Sequence, residues 1–327
     1  MYFDELLSER GGVLFSNMRY VYEVYKTGSF SKAAKNLYVS QPALSATVKK
    51  VENKIGMPLF DRSVTPIRLT ECGRRYIKTA ESIIRMEEEF SDFIDDLKEL
   101  KTGHLNIGGT YLFMVFVLPE AIRSFHSRYP AVELNVYEGH TSQLETMLFS
   151  GDIDLFIDNY PMDKDIYERK FFMKEHLLLA VPKSFSCNKL AREWALTAED
   201  IVANKHLLAE TKGVPLSLFS EEPFIFLRAY NDTRERVETI CKHAKIQPNV
   251  ILMLDQMLMT YGMTAKGMGI SFVSDTVVRS QNTGGDLVYY KVDDPEAERN
   301  VYFYYKRNRY LSKSMEEFMK IAFEVKE

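Results

Sequence analysis

GSFSKAAKNLYVSQPALSATVKKVENKIG, residues 28–56, is the stretch that decides the amino-terminal fold. Gly28 suits the residue just past a helix predicted over Met18–Thr27, because glycine enters the left-handed region without strain. Ser31 suits the N-cap of a short helix over Lys32–Leu37, with Ala33, Ala34 and Leu37 apolar. Tyr38 and Val39 make a tight turn. Ser40 then caps a third helix, and Pro42 is tolerated in its first turn. Leu44, Val48, Val51 and Ile55 fall at i, i+4, i+7 and i+11, one buried stripe. Gln41, Ser45, Ala46 and Lys49 fall towards the opposite, exposed side. A capped helix, a tight turn and an amphipathic second helix make a helix–turn–helix, which lays its second helix in the major groove of DNA. Gln41 suits adenine and Ser45 suits either type of base edge. Lys49, Lys50, Arg62 and Arg68 suit phosphates. The residues alone leave a second reading open, a three-helix bundle with a solvated basic face.

Charge bears on that choice. The chain has 327 residues and a formal net charge of −4, which as an average speaks against a nucleic-acid partner. The average hides a sign change. Residues 18–78 hold twelve Lys/Arg against four acids, a net of +8. Residues 79–102 are net −5, as is the remainder from 103. One basic domain precedes an acidic linker and body. Hydrophobic residues are 46% of the chain, enough for packed cores in two or three domains. Cys72, Cys187 and Cys241 are odd in number and scattered, so a disulfide framework or thiolate zinc site is not expected. The first residues carry acids and no apolar core of a signal peptide. Apolar runs such as Leu112–Leu118 are far short of a membrane span. The expectation is a reduced, cytoplasmic chain with no membrane partner.

Past Gly56, Pro58–Leu69 suits two small strands around a loop at Arg62–Pro66. Thr70 suits the cap of a long helix to about Leu100, of dimerising length. From Leu105, strands alternate with helices. The predicted strands are Leu105–Gly108, Val132–Tyr137, Leu155–Asp158, His176–Val181, His206–Ala209, Phe224–Leu227, Asn249–Met253, Ile270–Val273 and Val301–Lys306. Helical patterns lie at Leu118–Tyr129, Gln143–Phe149, Thr233–Ala244 and Asp255–Lys266. The alternation predicts an α/β body with largely parallel sheets. The sequence holds no HExxH, GxSxG or P-loop, and Gly267-Met268-Gly269 precedes a strand instead of following one, so catalytic and dinucleotide readings fail. Glu175-His176 reads as a strand entry.

The chain resembles the LysR-type transcriptional regulators. The matching residues are Arg19-Tyr20, Gly28-Ser29-Phe30, Ala33-Ala34, Leu37, Val39 through Ser45, Val51-Glu52, Gly56, Pro58 through Arg62, and Leu69 through Gly73. Weaker matches follow at Gly103–Gly108, Leu118-Pro119, Phe125, Tyr129-Pro130, Gly151–Leu155 and Gly267–Ile270. The resemblance implies an N-terminal winged helix–turn–helix (18–70), a linker and dimerisation helix (71–102) and a two-lobed, periplasmic-binding-protein-like α/β effector domain (103–327). Lobe I would span 103–181 and about 285–327, and lobe II about 182–284. Residues 1–17 are an extension before the usual start, either an alternative start or disordered lead, or a segment whose Leu6, Leu7, Val13, Leu14 and Phe15 pack.

The implied function is sequence-specific binding of double-stranded promoter DNA, modulated by a small-molecule co-inducer whose identity the sequence does not name. No other cofactor, metal or catalytic role is implied. Ser31, Ser40, Gln41, Pro42, Ser45, Ala46, Lys49 and Lys50 fall in the DNA-reading unit, with Arg62 and Arg68 in the wing. Ala46 departs from the long polar or basic side chain many members carry there; it can touch a thymine methyl but makes no bidentate pair. Effector contacts are expected from Thr110, Tyr111, His140 and Thr141, where helix starts with hydroxyls and free N–H groups suit a carboxylate or other anion. The second lobe is expected to contribute Glu210, Thr211 and Phe226. Thr110 and Thr141 read equally as helix caps, and His140 as a surface residue. The resemblance implies a homodimer that assembles to a homotetramer, and admits RNA polymerase as a partner. Oxidant-sensing members use a close cysteine pair, which Cys187 and Cys241 do not form in sequence. The alternatives are a solute-binding protein, which has no use for the +8 head, or an enzyme built on the two-lobed body.

Overall fold

The computed structural model describes residues 15, 17–64, 67–97, 103–229, 232–281 and 285–326. The chain divides between Ile94 and Asp95 into two compact units.

In the first unit, α1 (Met18–Thr27) ends at Gly28 with φ 60°, and α2 is Phe30–Asn36. Ser31 does not cap α2. Ser29 does, its hydroxyl accepting from the Lys32 amide at 3.4 Å. The helix starts early because Phe30 belongs to its buried face and meets Phe60 edge-on at 5.9 Å. The turn runs through Tyr38, in the left-handed region at φ 54°. Ser40 caps α3 (Gln41–Ile55), as expected, and Leu44, Val48 and Val51 bury its inner stripe. The wing is β1 (Phe60–Asp61) antiparallel to β2 (Arg68–Leu69). Thr70 then opens α4 (Glu71–Leu97), accepting from the Gly73 amide at 2.9 Å. Twenty-seven residues make a rod of about 40 Å; its expected end at Leu100 lies outside the described residues. Of the N-terminal lead, Phe15 stacks on Tyr76 with centroids 5.0 Å apart. Leu6, Leu7, Val13 and Leu14 lie outside the described residues.

The second unit has two lobes. In lobe I, β3 (His104–Gly109) lies parallel between β4 (Glu133–Glu138) and β5 (Leu155–Asp158). Helices α5 (Tyr111–Phe116), α6 (Pro119–Arg128) and α7 (Thr141–Ser150) connect these strands. Leu105, Ile107, Phe125, Leu155, Phe303 and Phe318 centre its core. The sixteen-residue β6 (Tyr167–Pro182) then leaves the lobe. Its second half enters lobe II, where α8 (Ala198–Val202), β7 (Pro223–Leu227), α9 (Asp232–His243), β8 (Asn249–Leu254), α10 (Met257–Ala265), β9 (Ser271–Ser274), α11 (Asp275–Ser280) and β10 (Leu287–Lys291) follow. The chain returns through β11 (Glu298–Lys306) and closes with α12 (Lys313–Lys326).

Three expectations need correction. The sheets are mixed, not largely parallel. β6 pairs antiparallel with β11 over Tyr167–His176, and with β10 and β9 over its second half. Among the described strands β3–β4, β3–β5 and β7–β8 are parallel, and Phe224 makes a further parallel bridge to Ile270. β10 and β11 follow one another in the same direction along the two halves of β6, each running against it, so a short link suffices between them. The lobe boundary also moves. Leu177–Val181 and, from the later segment, Leu287, Tyr289, Tyr290, Val292 and Ala297 are buried in the lobe II core. The passage therefore runs through the middle of β6 and the start of β11, not at 181 and 285. Finally, His206–Ala209 is not a strand; Lys205–Leu207 is a 3-10 turn.

Candidate functional site

The first unit presents one face of α3 outward. Gln41, Pro42, Ala46, Lys49 and Lys50 are exposed there, opposite the buried stripe, and Ser45 is half-buried. Ser40, Ser31 and Arg68 are exposed as well. Arg62 is exposed too, and it is also braced from within the unit. It pairs with Glu52 at 3.0 Å, donates to Ser45 Oγ at 3.4 Å and lies over the Phe30 ring at 4.7 Å. The other Glu52 oxygen accepts from the Leu59 and Phe60 amides at 2.8 and 3.3 Å. Glu52 and Arg62 thus fasten the wing to α3 and set where both meet a partner.

The second unit holds a cleft of about 400 Å³ between its lobes. The carboxyl ends of β3, β4, β5, β7 and β8 converge on it, the usual ligand position of parallel strand–helix units. Thr110, Tyr111, His140 and Thr141 all line it. Thr110 precedes α5 but its hydroxyl makes no capping bond. Thr141 is the first helical residue of α7, and its hydroxyl donates to Asp158 Oδ2 at 2.7 Å. The expected capping roles of both threonines are therefore absent. Asp158 Oδ1 accepts from the Asn159 and Tyr160 amides at 2.6 and 3.2 Å. Burial pushes this carboxyl up to about 6, outweighing its hydrogen bonds from Thr141, Tyr160 and Asn159.

One polar joint crosses the back of the cleft. Glu175 on β6 and Arg299 on β11 are direct ladder partners, bonded at 2.7 Å and both buried. Ser274 donates to the second Glu175 oxygen, and Asn159 reaches Glu175 at 3.3 Å. Arg299 Nη1 donates to Thr233 Oγ1 at 2.7 Å. Groups of both lobes meet on this one pair.

Residues 15–74 match the model of the bacterial regulatory helix-turn-helix protein, lysR family, and residues 98–326 match the LysR substrate binding domain. The chain belongs to the LysR family. A relative from Bacillus subtilis (strain 168), the uncharacterized HTH-type transcriptional regulator YcgK, is 30% identical over 93% of this chain and 92% of its own. Full-length OxyR from Pseudomonas aeruginosa has the same fold, at TM-score 0.67 and 20% identity, covering 96% of this chain and 94% of its own. So does CbnR, solved in complex with its target DNA, at TM-score 0.57 and 18% identity, covering 94% and 98%. The protein is a LysR-type DNA-binding transcriptional regulator with an effector-binding domain. Among its described residues no helix is long and apolar enough to cross a membrane.

Three residues expected at this LysR-family cleft are elsewhere. Phe226 is buried in the lobe II core under Arg234; Leu227, one position on, lines the cleft instead. Alternation along a strand makes a one-residue error a change of face. Glu210 and Thr211 follow the 3-10 turn, where the Thr211 hydroxyl donates to the Lys205 carbonyl at 2.6 Å. The Val214 amide then bonds Lys291 on β10, so this segment serves the lobe II sheet and not the cleft. Sequence reasoning missed Asp158, Asp232, Thr233, Asp255 and Arg299. A usable signal was present: each acid sits where an apolar strand run ends or a helix begins. Cys187 and Cys241 are buried free thiols, which burial pushes up to about 12 and 11. They are not activated thiolates.

The elevated Asp158 group gives a pH prediction. A carboxyl whose folded pKa is about 6, against an ordinary 3.8, favours the fold when protonated. That contribution is full below about 4 and is lost as pH rises through about 6. Between pH 4 and 7 the effector domain is expected to lose about 3 kcal/mol relative to an Asp158→Asn variant. Urea unfolding followed by the fluorescence of Trp194, the single tryptophan, reads this domain. Parallel pH profiles of the two proteins would show that Asp158 is not perturbed.

Proposed function

We propose that α3 reads operator bases in the major groove and that the inter-lobe cleft takes the small-molecule effector. The exposed polar face of α3, backed by its buried stripe, carries the first part. Gln41 and Ser45 contact base edges, Ala46 a thymine methyl, and Lys49, Lys50 and Arg68 hold phosphates. Arg62 positions the wing through Glu52 and Ser45. Ser40 and Pro42 set the start of α3, and Ser31 lies in the exposed first turn of α2. The protein works as a one-component cytoplasmic regulator, with no catalytic role.

Met86 and Phe90 stand exposed on α4, one helical turn apart. That apolar strip supports dimerisation through α4, which places two heads on a dyad-related site. A homotetramer and contact with RNA polymerase extend the same reading. An effector that binds one closure state of the lobes better shifts the population, and with it the presentation of the heads.

Fluorescence anisotropy on the chain's own upstream DNA and on scrambled DNA tests the DNA reading. Gln41→Ala is expected to cost about 1–3 kcal/mol on the cognate site and to relax discrimination at one base step. Lys49→Ala is expected to weaken both DNAs alike and to flatten the salt dependence. Equal affinity of the unaltered protein for both DNAs would overturn sequence-specific binding. Unchanged discrimination in Gln41→Ala would remove that residue from base readout.

A further inference from the structure

The cleft's charge departs from the carboxylate-binding chemistry that its helix starts suggested. Among the described residues six acids line it, Glu138, Glu145, Asp158, Asp232, Glu235 and Asp255, against one arginine, Arg299, and no lysine. That cation is already engaged by Glu175 at 2.7 Å and Asp232 at 3.7 Å. Asp232 is also held by Arg236 at 2.8 Å, and Asp255 by Arg228 at 3.3 Å. Among the described residues, Glu138, Glu145, Asp158 and Glu235 form no ion pair. At the start of α7 the Thr141 hydroxyl is already used, since it donates to Asp158, which brings a carboxylate to that helix start. An anion in this partly enclosed space would meet like charge with little screening.

We infer that the effector of this regulator is a small organic ammonium compound. Its positive group would sit among Glu138, Glu145 and Asp158. Tyr111 and Tyr160, which also line the cleft, supply aromatic rings, a side-chain type that attracts cations. Leu227 and Met257 offer apolar surface to its carbon skeleton. About 400 Å³ is the size of a small-metabolite site. Lobe closure would bring Glu235 and Asp255 of lobe II towards the acids of lobe I, and a bound cation would relieve that repulsion. The inference rests on reading this cleft as the effector site.

The test is a thermal-shift and calorimetric comparison on the full chain at fixed ionic strength. The probes are 1,4-diaminobutane and butylamine against succinate and butyrate, with magnesium chloride as a separate arm. The amines are expected to raise the effector-domain melting temperature, read at Trp194, and the carboxylates to leave it unchanged. The double variant Glu145→Gln with Asp158→Asn is expected to bind the amines at least tenfold more weakly. Stabilisation by carboxylates alone, by magnesium alone or by none of the probes overturns the inference. Ser142→Trp, which adds bulk at an exposed lining position of the cleft, separates the two levels of the argument. If carboxylates stabilise the unaltered chain and this variant abolishes the shift, the cleft remains the effector site and only the charge assignment fails. If any probe's shift survives in Ser142→Trp, the cleft is not its site and the underlying reading fails.

Discussion

Glu175→Ala is expected to cost the effector domain about 3–5 kcal/mol, because it strands the Arg299 guanidinium in the interior. Glu175 is fully buried and accepts from Arg299, Ser274 and Asn159, so one truncation leaves donors from both lobes unsatisfied. Losing a charged partner inside a protein leaves the desolvation cost of the survivor with nothing to offset it. For a domain of this size the melting temperature should fall by about 10 °C. Glu175→Gln keeps an acceptor for Arg299 and is expected to cost less than the alanine. Trp194-monitored unfolding measures both variants. A loss under about 1 kcal/mol in Glu175→Ala would show that water replaces the carboxylate and that the joint is not a structural element. The same pair joins the two crossing strands, so the alanine variant should also loosen any ligand-dependent closure of the lobes.

Gly73→Ala is expected to disable the DNA-binding unit. A Cβ at Gly73 would lie 2.0 Å from the Leu59 carbonyl oxygen and 3.0 Å from its carbon. Those are backbone atoms, so no rotamer change relieves the clash. The Leu59 oxygen is held in place because it accepts the Thr70 amide at 3.0 Å, while the Leu59 amide is held by Glu52. The wing would have to move away from α4, at about 3 kcal/mol or more. Gly56→Ala serves as the contrast. Gly56 has φ +78° but open space around it, so only backbone strain of about 1–2 kcal/mol applies. The comparison is read as operator affinity by anisotropy and as the melting of this unit by circular dichroism. Equal effects of the two substitutions would refute the steric argument.

The DNA-binding half was legible because its information is local. Caps, a left-handed glycine and a 3.6-residue apolar period each act within a few residues, and together they define α1, α3 and the wing. The misplaced cap at Ser31 arose where a distant contact, Phe30 on Phe60, started α2 two residues earlier than spacing showed. Charge division between head and body was likewise readable from the residues alone, and it made sense of the net −4.

The cleft was only half legible. Thr110, Tyr111, His140 and Thr141 follow parallel strands directly, so local order placed them. The second lobe's contribution depended on where β6 and β11 cross and on which face of β7 turns inward. The first is set by pairing between residues more than a hundred positions apart, such as Glu175 with Arg299, and the second by the pairing of β7 with β8 and Ile270. Phe226 and Leu227 differ by one residue and by a whole face. The sequence by itself therefore determined the helices of the head and the broad strand–helix alternation of the body, because helical period, capping and alternation are short-range physics, while the family was legible through its matching residues. Only the tertiary structure decided which carboxylates share the cleft, that its one lining arginine is already engaged, and that Arg62 braces the wing. Those facts depend on the distances and pairings that folding imposes on charges far apart in the chain.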